Sequence, residues 1–162
     1  MNVDAITAIC AVVIALASLV VTLMEARTSR EHSRQSVRPV LQIVRTRLHN
    51  DKRTGLKIKN VGLGPAVIVG TRVKLDGHPI GGWDRDTLTQ LVGTNKPTPF
   101  FSSLYDDAVI PPGDEQFLIL IDPFKEQRHS WFWNLIANRI TLEVRYESIY
   151  GGEDFTVSKH PR

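Results

Sequence analysis

The sequence predicts a mainly β protein: an N-terminal transmembrane helix, then an antiparallel β-sandwich (alternatively a small β-barrel) with one short helix. Three observations carry this. Residues 5–24 form an apolar run without charge, Gly or Pro. Beyond residue 39, short runs of β-formers recur between Gly, Pro and Asp turn signals. Helical patterns do not alternate with these runs, as a parallel sheet would require.

The 162 residues give room for one ordinary domain and an accessory segment. Apolar content of 42% and charged content of 23% point to a folded chain. A net charge of +3 without a clustered basic face gives no expectation of a nucleic-acid partner. The only cysteine, Cys10, lies in the apolar run, which leaves the remainder without a disulfide or a thiol metal site.

The run AITAICAVVIALASLVVTLM is 20 residues long and, as a helix, about 30 Å, matching a bilayer core. Ten of its residues are Ile, Leu or Val, which favours insertion by about 3 to 6 kcal/mol. A cleaved signal peptide fits less well, because the leading MNVD lacks Lys and Arg and the run continues past Ala15-Leu16-Ala17. The predicted organisation is therefore a transmembrane helix over 1–24, a polar helical stalk over 25–38 and a β-sandwich domain over 39–162. Arg27, Arg30, Arg34 and Arg38 flank the span on one side only. They predict a single-pass protein of the bacterial inner (plasma) membrane, N-terminus outside and C-terminal domain cytoplasmic. Ala8, Ala11, Ala15, Ser18 and Thr22 recur at steps of 3 and 4. Such a small-residue face favours packing on another transmembrane helix. The expected partners are the lipid bilayer and other transmembrane subunits.

The stalk ends at Pro39, which disfavours a helical residue before it. Val40–Leu48 is rich in β-formers, and Leu56–Asn60 alternates Leu56 and Ile58 with Lys57 and Lys59. Ala66–Leu75 alternates again, and Asp76-Gly77 is a hairpin signal leading to His78-Pro79-Ile80. Residues 81–110, including KPTPFFSSLYDD, read as loop with a short helix near Arg85–Leu91. Phe117–Ile121 reads as a strand buried on both faces. Lys125–Asn138 reads as one short helix and Ile140–Tyr146 as a strand alternating on two faces. Gly151-Gly152 turns the chain into Phe155–Ser158, making about seven strands.

Asn60-Val61-Gly62-Leu63-Gly64-Pro65-Ala66, followed by a strand and Asp76-Gly77, resembles the Asn-x-Gly-x-x-x-Ala signature of bacterial immunoglobulin-like modules. The cell-adhesion-related domain found in bacteria is one example. Ile110-Pro111-Pro112-Gly113-Asp114-Glu115 resembles the Pro-Gly-Glu turn that those modules place before a strand. The Arg38-Pro39 entry and the Tyr146-x-x-x-Tyr150-Gly151 hairpin also look like those of uncharacterised bacterial membrane-anchored proteins. Over Arg38–Ser158 the resemblance implies an immunoglobulin-like β-sandwich.

Chemical motifs are sparse. Gly62-x-Gly64 follows a strand, but Pro65 and a β-branched run follow it where a phosphate site needs a helix. The glycines read as turn residues that permit unusual backbone angles, with Asn60 bonding its own loop. The five histidines have no metal-ligand spacing, and Asp84/Asp86, Asp106/Asp107 and Glu153/Asp154 fall in loops. No catalytic residue, metal ligand or cofactor is expected. The cluster Trp131-Phe132-Trp133, with Arg128 beside it, is the expected partner contact, through Trp131, Trp133 and Arg128. The function this supports is a non-enzymatic accessory or structural subunit of a membrane protein complex, anchored by one helix and contacting partners through its β domain. The alternative is a membrane-anchored ligand-sensing or defence effector protein that oligomerises, with its long loops lining a pocket.

Overall fold

The computed structural model describes residues 3–48, 53–93 and 96–161. The chain divides into two units, 1–36 and 37–162.

The first unit is a single helix, α1 (Val3–Ser36). The sequence-based expectation of a transmembrane helix is corrected here. Among the described residues, no helix is long and apolar enough to cross a membrane. The apolar run was recognised from composition, but α1 continues without a break into the charged stretch from Glu25 onward, so one helix carries both characters. Ala11, Ala15, Ser18 and Thr22 are exposed along it, and the Thr22 hydroxyl donates to the Ser18 carbonyl at 2.9 Å. The side chains of Ala8, Arg27, Arg30 and Arg34 lie outside the described residues.

The second unit holds the strands β1 (Leu41–Leu48), β2 (Arg53–Asn60), β3 (Ala66–Leu75), β4 (His78–Gly81), β5 (Phe100–Phe101), β6 (Val109–Ile110), β7 (Glu115–Ile121), β8 (Ile140–Ser148) and β9 (Phe155–Lys159). Two short helices, α2 (Arg85–Val92) and α3 (Glu126–Asn134), lie in the two segments read as helical, one more than the single short helix of the expected architecture. All pairing is antiparallel. One sheet runs β1-β2-β7-β5 and the other β4-β3-β8-β9, with β6 added on β3. Two separate sheets are consistent with a sandwich.

In β2 and β8 the alternation read from the sequence is the burial pattern, whereas in β3 a bulge between Ile68 and Gly70 breaks it, burying Ala66 and Ile68 and exposing Val69. In β8, Ile140, Leu142, Val144 and Tyr146 are buried. They join Ile68 and Val73 of the same sheet with Leu41, Ile43, Leu56, Ile58 and Leu118 of the other in one core. In β7, Leu118 and Ile119 are both buried in the same core because Leu118 is the extra residue of a bulge opposite Leu56 and Lys57. Phe117 and Leu120 on either side are only half-buried, so the strand is not covered on both faces as expected. At Asp76-Gly77 φ is +52° and +86°, the backbone of a tight hairpin turn with left-handed residues at both centres. The expected helix over Lys125–Asn138 is instead α3 followed by a π-helical turn, Leu135–Arg139. That wider turn buries Leu135, Ile136 and Ala137 together.

The Asn60 loop differs in cause from the sequence reading. Neither Gly62 nor Gly64 has a positive φ. They are glycines because the incoming chain lies against them: a Cβ on Gly62 would sit 2.3 Å from the Val40 nitrogen, and one on Gly64 1.7 Å from the Val37 oxygen. Asn60, fully buried, ties this loop together. Its Nδ2 donates to the Gly64 and Ile110 carbonyls at 2.8 and 2.9 Å, and its Oδ1 accepts from the Gly62 and Val40 amides.

Candidate binding groove at the far end of the sandwich

Strand register defines two ends of the domain. Asn60, the β6–β7 turn and the β8–β9 hairpin lie at one end, since Ala66 pairs with both Ile110 and Ser148. Thr54, paired with Ile121, lies at the other. Six residue steps separate Thr54 from Asn60 along β2, about 20 Å of strand.

The long connection from Gly82 to Val109 links the edge strands β4 and β5 of the two sheets before returning to β3 at Val67, and Trp83 anchors it. This side chain is 1% exposed. Its indole donates to the Ser102 carbonyl at 3.0 Å, its amide donates to the Thr71 hydroxyl at 2.7 Å, and it stacks on Phe101 at 5.4 Å. Asp84 then caps α2 by accepting from the Thr87 amide at 2.8 Å. Helix α2 buries Thr87, Leu88, Leu91 and Val92. Both devices fix the segment that follows, in which Phe100 pairs with Leu120 at the edge of the first sheet.

Phe100 is left 70% exposed. A cleft of about 560 Å³ lies on one side of it, walled by Leu88, Phe101 and Tyr105, with Arg85 and Lys96 on its rim. A second cleft, of about 280 Å³, lies on the other side, between Pro99, Leu120 and Arg128, with Lys125 beside them. The first cleft has no carboxylate in its lining. The second has Asp122, already paired with Arg53 at 3.5 Å. Arg85, Lys96, Lys125 and Arg128 have no ion pair among the described residues. An exposed aromatic between two cation-lined hollows suits an anionic segment with an apolar side chain. Among the described residues, no group of three or more His, Cys, Asp or Glu could hold a metal.

The expected contact cluster lies beside this groove and only partly in it. Arg128 lines the second cleft. Trp131 and Trp133 are half-buried against the core. The Lys96 ammonium sits 4.7 Å from the Trp131 ring centre, and the Arg47 guanidinium 5.3 Å from that of Trp133. Arg47 also ion-pairs with Glu126. The Trp131 Nε1 is buried without a hydrogen-bond partner among the described residues. Arg38 is at the opposite end, its guanidinium 4.5 Å from the Phe155 ring centre. The small-residue face belongs to the other unit. Sequence reasoning missed Phe100, Tyr105 and Lys96, because their stretch read as loop, and Arg85, which read only as the start of a short helix. The available signal was three aromatics within KPTPFFSSLYDD, more than a solvated loop needs.

Exposed ion pairs mark the rest of the surface. Asp76 accepts from Arg139 Nε at 2.9 Å, and that bond, with the guanidinium charge, holds its carboxyl below the usual range. A hydrogen bond from Lys57 does the same to Glu115. Neither pair touches the groove.

Comparison with curated proteins returns no match. A family model matches residues 5–159, spanning both units of the chain. The chain belongs to the family described as Domain of unknown function (DUF8453).

Proposed function

We infer that this chain is a non-enzymatic accessory subunit that contacts its partners through the β domain, with the groove around Phe100 as the contact. The observation that carries this is the pairing of a 70% exposed Phe100 with Arg85, Lys96, Lys125 and Arg128, four cations without ion pairs among the described residues. Leaving a large apolar ring in water has no benefit to the isolated fold, whereas buried aromatics with a charged rim are frequent anchors of interfaces. The strand order also supports the resemblance to immunoglobulin-like modules, which pack an A-B-E-D sheet on a C′-C-F-G sheet.

The test is fluorescence anisotropy of the full chain with short synthetic peptides that place one Phe or Tyr among acidic residues. Binding should strengthen as salt is lowered and weaken at least tenfold in Phe100→Ala. Equal affinity for the same peptides with Lys in place of Asp and Glu would overturn the reading.

A further inference from the structure

The end of the domain opposite the groove carries a segment with the complementary character. Between β8 and β9 the chain reads Ser148-Ile149-Tyr150-Gly151-Gly152-Glu153-Asp154. Ile149 is 57% exposed at its tip and Tyr150 is exposed beside it. Glu147, Glu153 and Asp154 surround them, and none has an ion pair among the described residues. The hairpin is held in shape. The Ser148 hydroxyl donates to Glu153 Oε1 at 2.9 Å, the Gly151 amide donates to the Ser148 carbonyl at 3.0 Å, and the Gly152 amide donates to Glu147 Oε2 at 3.0 Å. A segment already ordered loses little entropy on docking.

We propose that this hairpin of one copy enters the Phe100 groove of a second copy, so that the protein assembles head to tail. This rests on the reading of the groove as a contact site and names its occupant. Ile149 is the apolar anchor. Glu147, Glu153 and Asp154 meet Arg85, Lys96, Lys125 and Arg128, and complementary charge sets the register and direction of docking. The hairpin and the groove lie at opposite ends of the sandwich, about 20 Å apart along β2, so a chain cannot fill its own groove. Two different surfaces in contact form a heterologous interface, which closes into a ring or extends as a filament rather than stopping at a two-fold dimer.

The experiment is cysteine cross-linking of the full chain in a Cys10→Ser background. One preparation carries Tyr150→Cys on the hairpin, another Thr98→Cys, which lines both clefts, and a third both. Both positions are exposed and neither replaces Ile149 or Phe100, so the variants keep the core and the two anchors of the contact. With diamide as oxidant, the mixed singles should give a heterodimer in at least tenfold excess over either homodimer. The double variant should give a ladder of multimers. Asp154→Lys should cut the yield severalfold, and Lys96→Glu in the partner copy should recover it. Equal homodimer and heterodimer yields, no ladder, or no effect of Asp154→Lys would overturn head-to-tail assembly. If the ladder is absent while acidic peptides still bind and Phe100→Ala abolishes that binding, self-assembly falls and the groove as a contact site stands. If neither is seen, both fall.

Discussion

Two loops at opposite ends of the sandwich, around Asn60 and around Phe100, are built on opposite principles. At the Asn60 end the buried Asn60 carboxamide makes four hydrogen bonds and the backbones are packed so closely that two positions admit only glycine. At the Phe100 end a buried tryptophan and a capped helix hold out an aromatic ring that nothing covers. The first arrangement serves the fold alone: it fixes where the chain enters and how β1, β6 and β7 meet. The second costs stability, because the exposed ring forgoes the roughly 1.5 to 3 kcal/mol that burying such a side chain would contribute. A closed carboxamide network around Asn60 and an uncovered ring at Phe100 separate a structural loop from a recognition loop, although both looked like turns in the sequence.

That contrast can be broken by substitution. The largest effect is expected from Asn60→Ala, which leaves the Gly64 and Ile110 carbonyls and two amides without their partner. A loss of about 4 kcal/mol in denaturant unfolding is expected. A loss below about 1 kcal/mol would show that water replaces the carboxamide and that the end is not closed. Gly64→Ala should cost about 3 kcal/mol, because its methyl group would meet the Val37 carbonyl and backbone must move. If the cost is instead that of an ordinary surface change, the close approach of residue 37 is not part of the solution fold.

Phe100→Ala sharpens the comparison from the other side. Stability should change by no more than about 0.5 kcal/mol, as for surface positions, while binding of an acidic aromatic peptide is lost. A large fall in stability would place Phe100 in the core and remove the distinction between the ends. The smallest effect concerns Asp76, whose pair with Arg139 is exposed. Its carboxyl is held below its ordinary value, so the stability it contributes is present above that value, about 3.9 in an unfolded chain, and fades as pH falls through the lowered one. The melting temperature of the wild type should exceed that of Asp76→Asn slightly at neutral pH and converge with it in acid. Asparagine tolerates the left-handed turn conformation, so the comparison isolates the charge. A gap that widens in acid would contradict the assignment.

What the sequence determined by itself is the set of features whose cause is local. The run of β-formers in Ala66–Leu75 marks a strand with those same ends, although the bulge between Ile68 and Gly70 decides which of its residues face the core. Asp76-Gly77 marks its turn, because few residues adopt positive φ. The start of β8 at Ile140 and the short helix near Arg85 were legible for similar reasons. What only the tertiary structure decided is whatever depends on residues far apart along the chain. Gly62 and Gly64 are small because residues 37–40 pass over them, not because of their own backbone angles. The apolar run of residues 5–24 is one part of a 34-residue helix whose other part is charged, so composition within a window did not describe the element. The groove gathers Arg85 and Lys96 from one connection and Lys125 and Arg128 from another around Phe100. No spacing rule encodes that meeting, since the two segments are brought together only when β5 pairs with β7.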